Sequence, residues 1–268
     1  MNDRTFGLRG VIALCVLLTT SCSSNEVVYV MVSGGFTAAY EILGPQFEDA
    51  TGKMLVTAYG ASSGGAPDSI PERLARGEPA DLIILSRSSL DKLTAEGRVQ
   101  AGSRVDLVRS KIGMAVRAGA ARPDIGTTEA FIETMLNAES IGYSASASGT
   151  YLSNELFPRL GIWRQIEDKS LRVVSERVAA VVARGDVQIG FQQVSEILPI
   201  DGIDYVGPIP DELQETTVFS AGITTAAQYP EVAAELLRFL SSKQAAPIIV
   251  GVGLEPVAMD EGNRGIER

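Results

Sequence analysis

Polar residues that could bind an anion gather in short segments rich in glycine and serine, each directly after a predicted strand. Glycine lets backbone N–H groups approach an anion closely, serine adds a hydroxyl donor, and a helix start adds a favourable field. In open parallel sheets, ligands bind beyond the carboxyl ends of the strands, where these segments lie. One such segment could be a simple helix cap, but the repetition predicts an anion-binding cleft. Its candidate ligand-binding residues are Ser33, Gly34, Gly35, Phe36, Ser62, Ser63, Gly64, Ser86, Arg87, Ser148, Gly149, Thr150, Tyr151, Arg177, Gln192 and Gln193.

Four larger side chains in these segments each have two interpretations. Arg87 and Arg177 lie just beyond predicted strands at helix starts, where a cation gains nothing from the helix field. They could clamp a carboxylate or form surface ion pairs. Phe36 and Tyr151 could wall a ligand or pack in the core. The sequence leaves these alternatives open.

The chain contains no histidine, which excludes histidine-based triads and histidine metal ligands. Of its two cysteines, Cys15 lies in a predicted export signal, so a thiolate zinc site and an intramolecular disulfide are excluded as well. We expect no metal and no cofactor. Any proton transfer must rely on carboxylates, Lys, Arg, Tyr or hydroxyls.

The amino terminus has the layout of an export signal: Arg4 and Arg9, an apolar run over 11–18, and small residues before Cys22. We expect residues 1–21 to be removed and Cys22 to be acylated; the alternative is an ordinary signal in which Cys22 has no role. The run is too short to span a bilayer. The predicted location is periplasmic or extracytoplasmic, with the membrane contacted only through a lipid anchor.

The elements that must position these segments alternate between strand and helix. Short apolar runs at 27–32, 54–59 and 81–86 each precede a helical pattern, which indicates a parallel sheet covered on both faces. Long strands follow from Val105, and a second series of units begins at Asp124. We therefore predict an α/β fold with two Rossmann-like lobes joined by two crossing strands, as in a hinged clamshell.

The predicted lobe boundaries follow from this pattern and from the chain length of 268 residues, which exceeds the usual size of a single core. The first lobe is discontinuous and comprises residues 26–104 and 226–260. The second comprises residues 105–225. A formal net charge of −10 argues against a nucleic-acid partner.

Two longer segments carry a family resemblance: "RLARGEPADLIILSRSSLDKLTAEGRV" at 73–99 and "SASASGTYLSNELFPRLGI" at 144–162. They resemble type II periplasmic solute-binding proteins, and more narrowly the molybdate-binding branch, over almost the whole mature chain. The resemblance implies a two-lobe receptor for a small anion, an organic acid or oxyanion, that passes it to an ABC-type importer. The permease of that importer would be the protein partner.

Three departures from that branch point away from a small oxyanion. The early turn, which there supplies a ligating serine, here reads Ser33-Gly34-Gly35-Phe36. The serine pair Ser62-Ser63 is followed by an inserted "GGAPDSIP", and the late tyrosine is replaced by Gln192 and Gln193. Fewer hydroxyls, more amides and a longer loop fit a larger organic anion.

The alternative to a receptor is the aconitate isomerase branch, which "SGGF", "IPERLARGEPAD" and "GFQQVSE" resemble. That branch implies cofactor-independent interconversion of cis- and trans-aconitate by an allylic proton shift. Serine hydroxyls, helix N-termini and Arg87 or Arg177 would hold the carboxylates. The base would be Glu176, Glu196 or Tyr151, and the sequence does not choose among them.

Overall fold

A computed structural model describes residues 26–63 and 65–257. The predicted signal at residues 1–21, the predicted acylation site Cys22 and the candidate ligand residue Gly64 lie outside the described residues. So do residues 258–260, the end of the predicted first lobe. Within the described part of the chain, no helix is long and apolar enough to cross a membrane.

The strands form two sheets. They are β1 (Val27–Ser33), β2 (Met54–Gly60), β3 (Leu82–Ser86), β4 (Val105–Ser110), β5 (Ile112–Arg117), β6 (Ile141–Ser144), β7 (Ser170–Val173), β8 (Ile189–Gln193), β9 (Ile203–Pro208), β10 (Thr217–Ile223) and β11 (Glu255–Pro256). In the described residues, six strands pair in the order β11-β4-β10-β3-β1-β2 and five in the order β7-β6-β8-β5-β9. Each sheet with its helices is a lobe.

The helices cover both faces of the sheets. They are α1 (Gly34–Thr51), α2 (Ile70–Ala75), α3 (Arg87–Ala95), α4 (Thr128–Asn137), α5 (Ala147–Tyr151), α6 (Phe157–Arg159), α7 (Trp163–Ile166), α8 (Val178–Arg184), α9 (Val194–Ile197), α10 (Pro230–Leu240) and α11 (Ala246–Gly251). A π-helical turn (Leu152–Leu156) joins α5 to α6, and short 3-10 helices cover Glu167–Lys169 and Asp211–Leu213.

The first lobe is built around β1 and β3, which pair in parallel with each other, and β1 pairs in parallel with β2. Helices cover both faces of β1 and β3, and this explains why both strands have continuous apolar sequences. Helix α1 begins directly after β1 and buries Phe36, Tyr40, Leu43 and Phe47 against the sheet at helical spacing. It ends at Gly52, whose φ of 69° is left-handed.

The second lobe has its own core. Strand β6 pairs in parallel with β7 and β8, and β5 is antiparallel to β8 and β9. Phe131 from α4 packs edge-on against Phe191 from β8. Helix α8, after β7, packs on the opposite face through Val178 and Val182. Thus each βα connection brings a helix start to a strand's carboxyl end.

The chain crosses between the lobes twice. It leaves the first sheet at Ser110, at the end of β4, and enters the second at Ile112, at the start of β5; it returns between β9 and β10. The predicted boundaries at 104/105 and 225/226 therefore do not follow the sheets, because β4 and β10 pair with each other in the first lobe. Their pairing across more than a hundred residues was not visible in the sequence.

Candidate functional site

A cavity of about 300 Å³ lies between the two lobes. The first lobe contributes the start of α1 and the end of β2; the second contributes the segments after β6 and β7 and the end of β8. The sequence-predicted residues that line it are Gly34, Gly35, Ser62, Ser148, Glu176, Arg177, Gln192, Gln193 and Glu196. These residues come from distant parts of the chain and meet at one interlobe site.

Other predicted residues lie away from the cavity wall. Phe36 and Tyr151 are core residues, so the packing interpretation describes both rings. The remaining predicted residues outside the lining are Ser33, Ser63, Ser86, Arg87, Gly149 and Thr150. Sequence reasoning did not find the cleft residues Thr37, Tyr59 and Phe219; Tyr59 had a discernible signal, because it comes one residue before the predicted loop that begins at Gly60.

The glycine pair after β1 is enclosed on both sides. A Cβ atom on Gly34 would lie 2.0 Å from Oε1 of Glu196, and one on Gly35 would lie 2.0 Å from Cζ of Phe219. The preceding Ser33 is the N-cap of α1, yet its side chain makes no capping hydrogen bond. The start of this long helix therefore presents backbone donors to the cleft with nothing larger than hydrogen on Gly34 and Gly35.

Glu196, on α9, is the carboxyl group closest to that helix start. Its Oε1 accepts a hydrogen bond of 2.9 Å from Nε2 of Gln192. Burial raises the pKa of Glu196 to about 7, and the Arg177 guanidinium and the Gln192 amide oppose that rise. A carboxyl group with this pKa is populated in both protonation states near neutral pH, as a group that gives and takes a proton requires.

The other two candidate bases have different environments. Glu176 lies at the rim and is exposed, and both its oxygens accept hydrogen bonds from Arg184, at 2.7 and 3.1 Å, which lowers its pKa. Tyr151 is buried in the second lobe, where its hydroxyl donates to the Leu213 carbonyl at 2.8 Å and accepts from Arg159. Tyr151 lies outside the cavity lining, and Glu176, although it belongs to the lining, is paired with Arg184, which favours its ionised form.

The two candidate arginines also have different environments. Arg87 is exposed and forms ion pairs with Asp106, at 3.2 Å, and with Asp91, at 3.9 Å. Arg177 lines the cavity at the start of α8, and in the described residues no carboxylate lies within ion-pair distance of its guanidinium. Its positive charge opposes the rise in pKa that burial causes in Glu196 and in Tyr59. Arg177 is therefore the cation available to an anionic ligand.

Buried hydroxyls face the cavity from both lobes. Ser62 Oγ accepts a hydrogen bond of 2.9 Å from the backbone N–H of Ser86, which leaves its own hydrogen to donate. Across the cleft, the hydroxyls of Ser144 and Ser148 lie 3.2 Å apart. A Cβ on Gly149 would lie 1.6 Å from the Ser144 carbonyl oxygen, so glycine is required for this tight turn into α5.

The two glutamines after β8 make different contacts. Gln192 accepts from the backbone N–H of Val178, at 2.8 Å, and donates to Glu196. Gln193 donates to Thr217 Oγ1 at 2.9 Å, and among the described atoms its buried Oε1 has no hydrogen-bond partner. Gln192 is held by protein contacts on both sides of its amide. Gln193 still has capacity for a ligand.

The cleft is more acidic than basic. Its lining includes Glu41, Asp68, Glu176 and Glu196, together with the basic residue Arg177. In the part of the chain that is described, no group of three His, Cys, Asp or Glu side chains could hold a metal ion. An anion in this cleft must therefore be bound through hydroxyls, amides and backbone N–H groups as well as the guanidinium.

Two α/β lobes joined by two crossing strands, with a polar cleft between them, define a binding protein of the clamshell class. The family model described as bacterial extracellular solute-binding protein matches residues 28–255, and the chain belongs to this family. It is a type II periplasmic binding protein of the molybdate-binding-like branch. The fold class predicted from the sequence is thereby confirmed, and the membership indicates an extracytoplasmic protein.

Two relatives and one solved structure describe the similarity further. An aconitate isomerase from Pseudomonas sp. is 48% identical over 228 residues, which is 85% of this chain and 87% of the relative. The molybdate-binding protein ModA of Azotobacter vinelandii is 25% identical over 254 residues, 91% of this chain and 96% of the relative. The structure of the A. vinelandii periplasmic molybdate-binding protein superimposes with a TM-score of 0.68 at 20% identity, covering 86% of this chain and 99% of that one.

Proposed function

We propose that the cleft binds a small organic polycarboxylate and isomerises it without a cofactor, as an aconitate isomerase does. The observation that carries the proposal is the Glu196 carboxyl, placed between the lobes at the start of α1 with a pKa near 7. A passive anion receptor gains nothing from an acid at this point, because the ionised carboxylate repels the ligand. The similarity to the Pseudomonas isomerase supports the same function.

Binding of the substrate carboxylates would use groups from both lobes. Arg177 supplies the positive charge, Ser62 and Ser148 supply buried hydroxyls, and the first N–H groups of α1 supply donors aligned with the helix dipole. Gln193 can present either its carbonyl oxygen or, after rotation of the amide, its N–H₂ group. Contacts from two lobes fix the orientation of the substrate.

The reaction is a 1,3-proton shift. Ionised Glu196 removes a proton from the methylene carbon next to the double bond, and the resulting allylic carbanion is delocalised into the neighbouring carboxylates. Neutral Glu196 then returns the proton to the far carbon, and the double bond moves by one position. One C–H bond breaks and one forms, so the composition does not change and no oxidant or reductant is needed. General acid–base catalysis of this kind contributes about 10²–10⁴-fold.

The proposal is tested by incubating the purified full-length protein with trans-aconitate in the presence of a chelator and measuring cis-aconitate by chromatography. Wild-type protein should convert it, Glu196→Gln should lose at least about 100-fold in turnover, and the rim variant Glu176→Gln should retain it. Equal turnover by Glu196→Gln and wild type would refute the role of Glu196. No conversion by wild type would refute the isomerase.

The second candidate, a solute receptor for an organic acid, is favoured by the family match over residues 28–255. The same protein would then show no conversion but a higher melting temperature with tricarballylate, the saturated tricarboxylate. A rise with molybdate or tungstate instead would contradict an organic ligand. These three anions distinguish the cargo classes in one thermal-shift series.

We also propose that the amino terminus is processed as a lipoprotein signal. Removal of residues 1–21 would leave Cys22 as an acylated first residue and tether the protein to the membrane surface. Mass spectrometry of the membrane fraction should find the diacyl mass on Cys22. A Cys22→Ala variant should be recovered in the soluble periplasmic fraction, and a wild-type protein found there unmodified would contradict the proposal.

A further inference from the structure

The contact between Gly34 and Glu196 joins the two lobes in the wall of the cleft. Gly34 is the first residue of α1, and Glu196 lies on α9 of the second lobe. A Cβ atom built on Gly34 would lie 2.0 Å from Oε1 and 2.8 Å from Cδ of Glu196. The carboxyl group therefore occupies the space that any side chain at position 34 would need.

The backbones around this contact are held together independently of it. Ser195, next to Glu196, donates its hydroxyl hydrogen to the Gly35 carbonyl at 2.8 Å, and both residues are buried. Because α1 and α9 are tied by this bond, they cannot easily separate to admit a methyl group. The Glu196 carboxyl is the end of a flexible side chain and is the part that would move.

We infer that Gly34 is a positioning residue for the proton transfer, an inference that rests on the proposed function. Its missing side chain allows the Glu196 carboxyl to lie against the start of α1, within reach of the Gln192 amide and next to the hydroxyl-lined cavity. A methyl group at position 34 turns the carboxyl away from that place. The base is then lost from the reaction while the fold and the other ligand contacts remain.

The test compares Gly34→Ala with wild type in the aconitate assay. The expected result is a fall in kcat of about 100-fold, with KM changed by no more than a few-fold, because Arg177 and the hydroxyls still bind the substrate. The matched control is Gly251→Ala, at the end of α11, where a Cβ atom would meet nothing within 4 Å. This control should leave both constants unchanged.

A compensating change separates positioning from general damage. Glu196→Asp shortens the side chain by one methylene, so in the wild-type background it draws the carboxyl back and lowers kcat. In the Gly34→Ala background the shorter side chain leaves room for the new methyl group, and kcat of the double variant should exceed that of Gly34→Ala alone. A double variant slower than either single variant would overturn the inference.

A second readout does not depend on turnover. Titration of ¹³C-labelled glutamate carboxyls by NMR, with the Glu196 signal assigned from its absence in Glu196→Gln, gives the pKa of Glu196 directly. Gly34→Ala should lower that pKa towards the ordinary value as the carboxyl turns to solvent. If wild type has no isomerase activity, this titration still tests the contact. An unchanged titration together with full activity of Gly34→Ala would overturn the inference and leave the proposed function standing.

Discussion

Replacing Glu196 with glutamine should stabilise the protein at neutral and alkaline pH and have no effect at low pH. Burial raises the pKa of this carboxyl from 4.5 to about 7, so the folded protein holds the proton more tightly than the unfolded chain does. Below pH 4.5 the group is neutral in both states. Above that pH the unfolded chain ionises first, which favours unfolding, until the folded protein also ionises near pH 7.

The magnitude follows from the difference between the two pKa values. Each pKa unit corresponds to about 1.4 kcal/mol, so ionised Glu196 lowers the free energy of unfolding by about 3 kcal/mol above pH 7. Glutamine has nearly the same shape and no charge, and it removes this cost. For a protein of this size the gain corresponds to about 6–12 °C in melting temperature.

The assay is urea unfolding of wild type and Glu196→Gln at pH values from 4 to 9. The difference in unfolding free energy should rise from near zero at pH 4 to about 3 kcal/mol at pH 8. Glu176→Gln is the matched control, since Arg184 lowers the pKa of Glu176 and the expected pH trend has the opposite sign. Parallel stability curves for Glu196→Gln and wild type would refute the burial of a titrating carboxyl at this place.

Two further predictions concern binding and stability. Arg177→Ala should weaken the binding of tricarballylate by about 10–100-fold in isothermal titration calorimetry. The control Arg87→Ala removes exposed ion pairs and should change the affinity less than about twofold. Equal losses of affinity in the two variants would contradict the placement of Arg177 in the cleft. Asp81→Ala should lower the free energy of unfolding, measured by urea denaturation, by about 3 kcal/mol or more. The reason is that the buried Asp81 carboxylate accepts hydrogen bonds from three backbone N–H groups. A loss below about 1 kcal/mol would contradict that role.

The alternating pattern of the first hundred residues was sufficient to predict the first βα units. Strands that are buried on both faces have continuous apolar sequences, and the helices after them show apolar residues at helical spacing. The segment from Val105 read as long strands without a partner, and the structure divides it between the two sheets at Lys111. Strand β9 was not predicted, because its sequence "IDYVGP" is half-buried and contains Asp, Gly and Pro, which weaken a strand pattern.

The site could be predicted as far as the backbone positions it, and no further. Strand ends and helix starts are readable in the sequence, so Gly34, Ser62 and Ser148 were found from the loop pattern. Whether a side chain after a helix start points to the cleft or to the core depends on the helical phase, and Tyr151 points to the core. Glu196 could not be chosen over Glu176, because Gly34, against which its carboxyl group lies, is far earlier in the chain and belongs to the other lobe.

The charges of the cleft link ligand binding to the protonation state of Glu196. A polycarboxylate beside this group would disfavour its ionised form and raise its pKa further, so tighter binding and neutral Glu196 favour each other. Proton removal from the substrate requires the ionised form instead. Arg177 reduces the opposition between ligand binding and ionisation of Glu196, since its guanidinium stabilises both the ligand carboxylates and ionised Glu196. Arg177 therefore contributes to the chemistry as well as to binding, because it favours the ionised form of Glu196 that removes the proton.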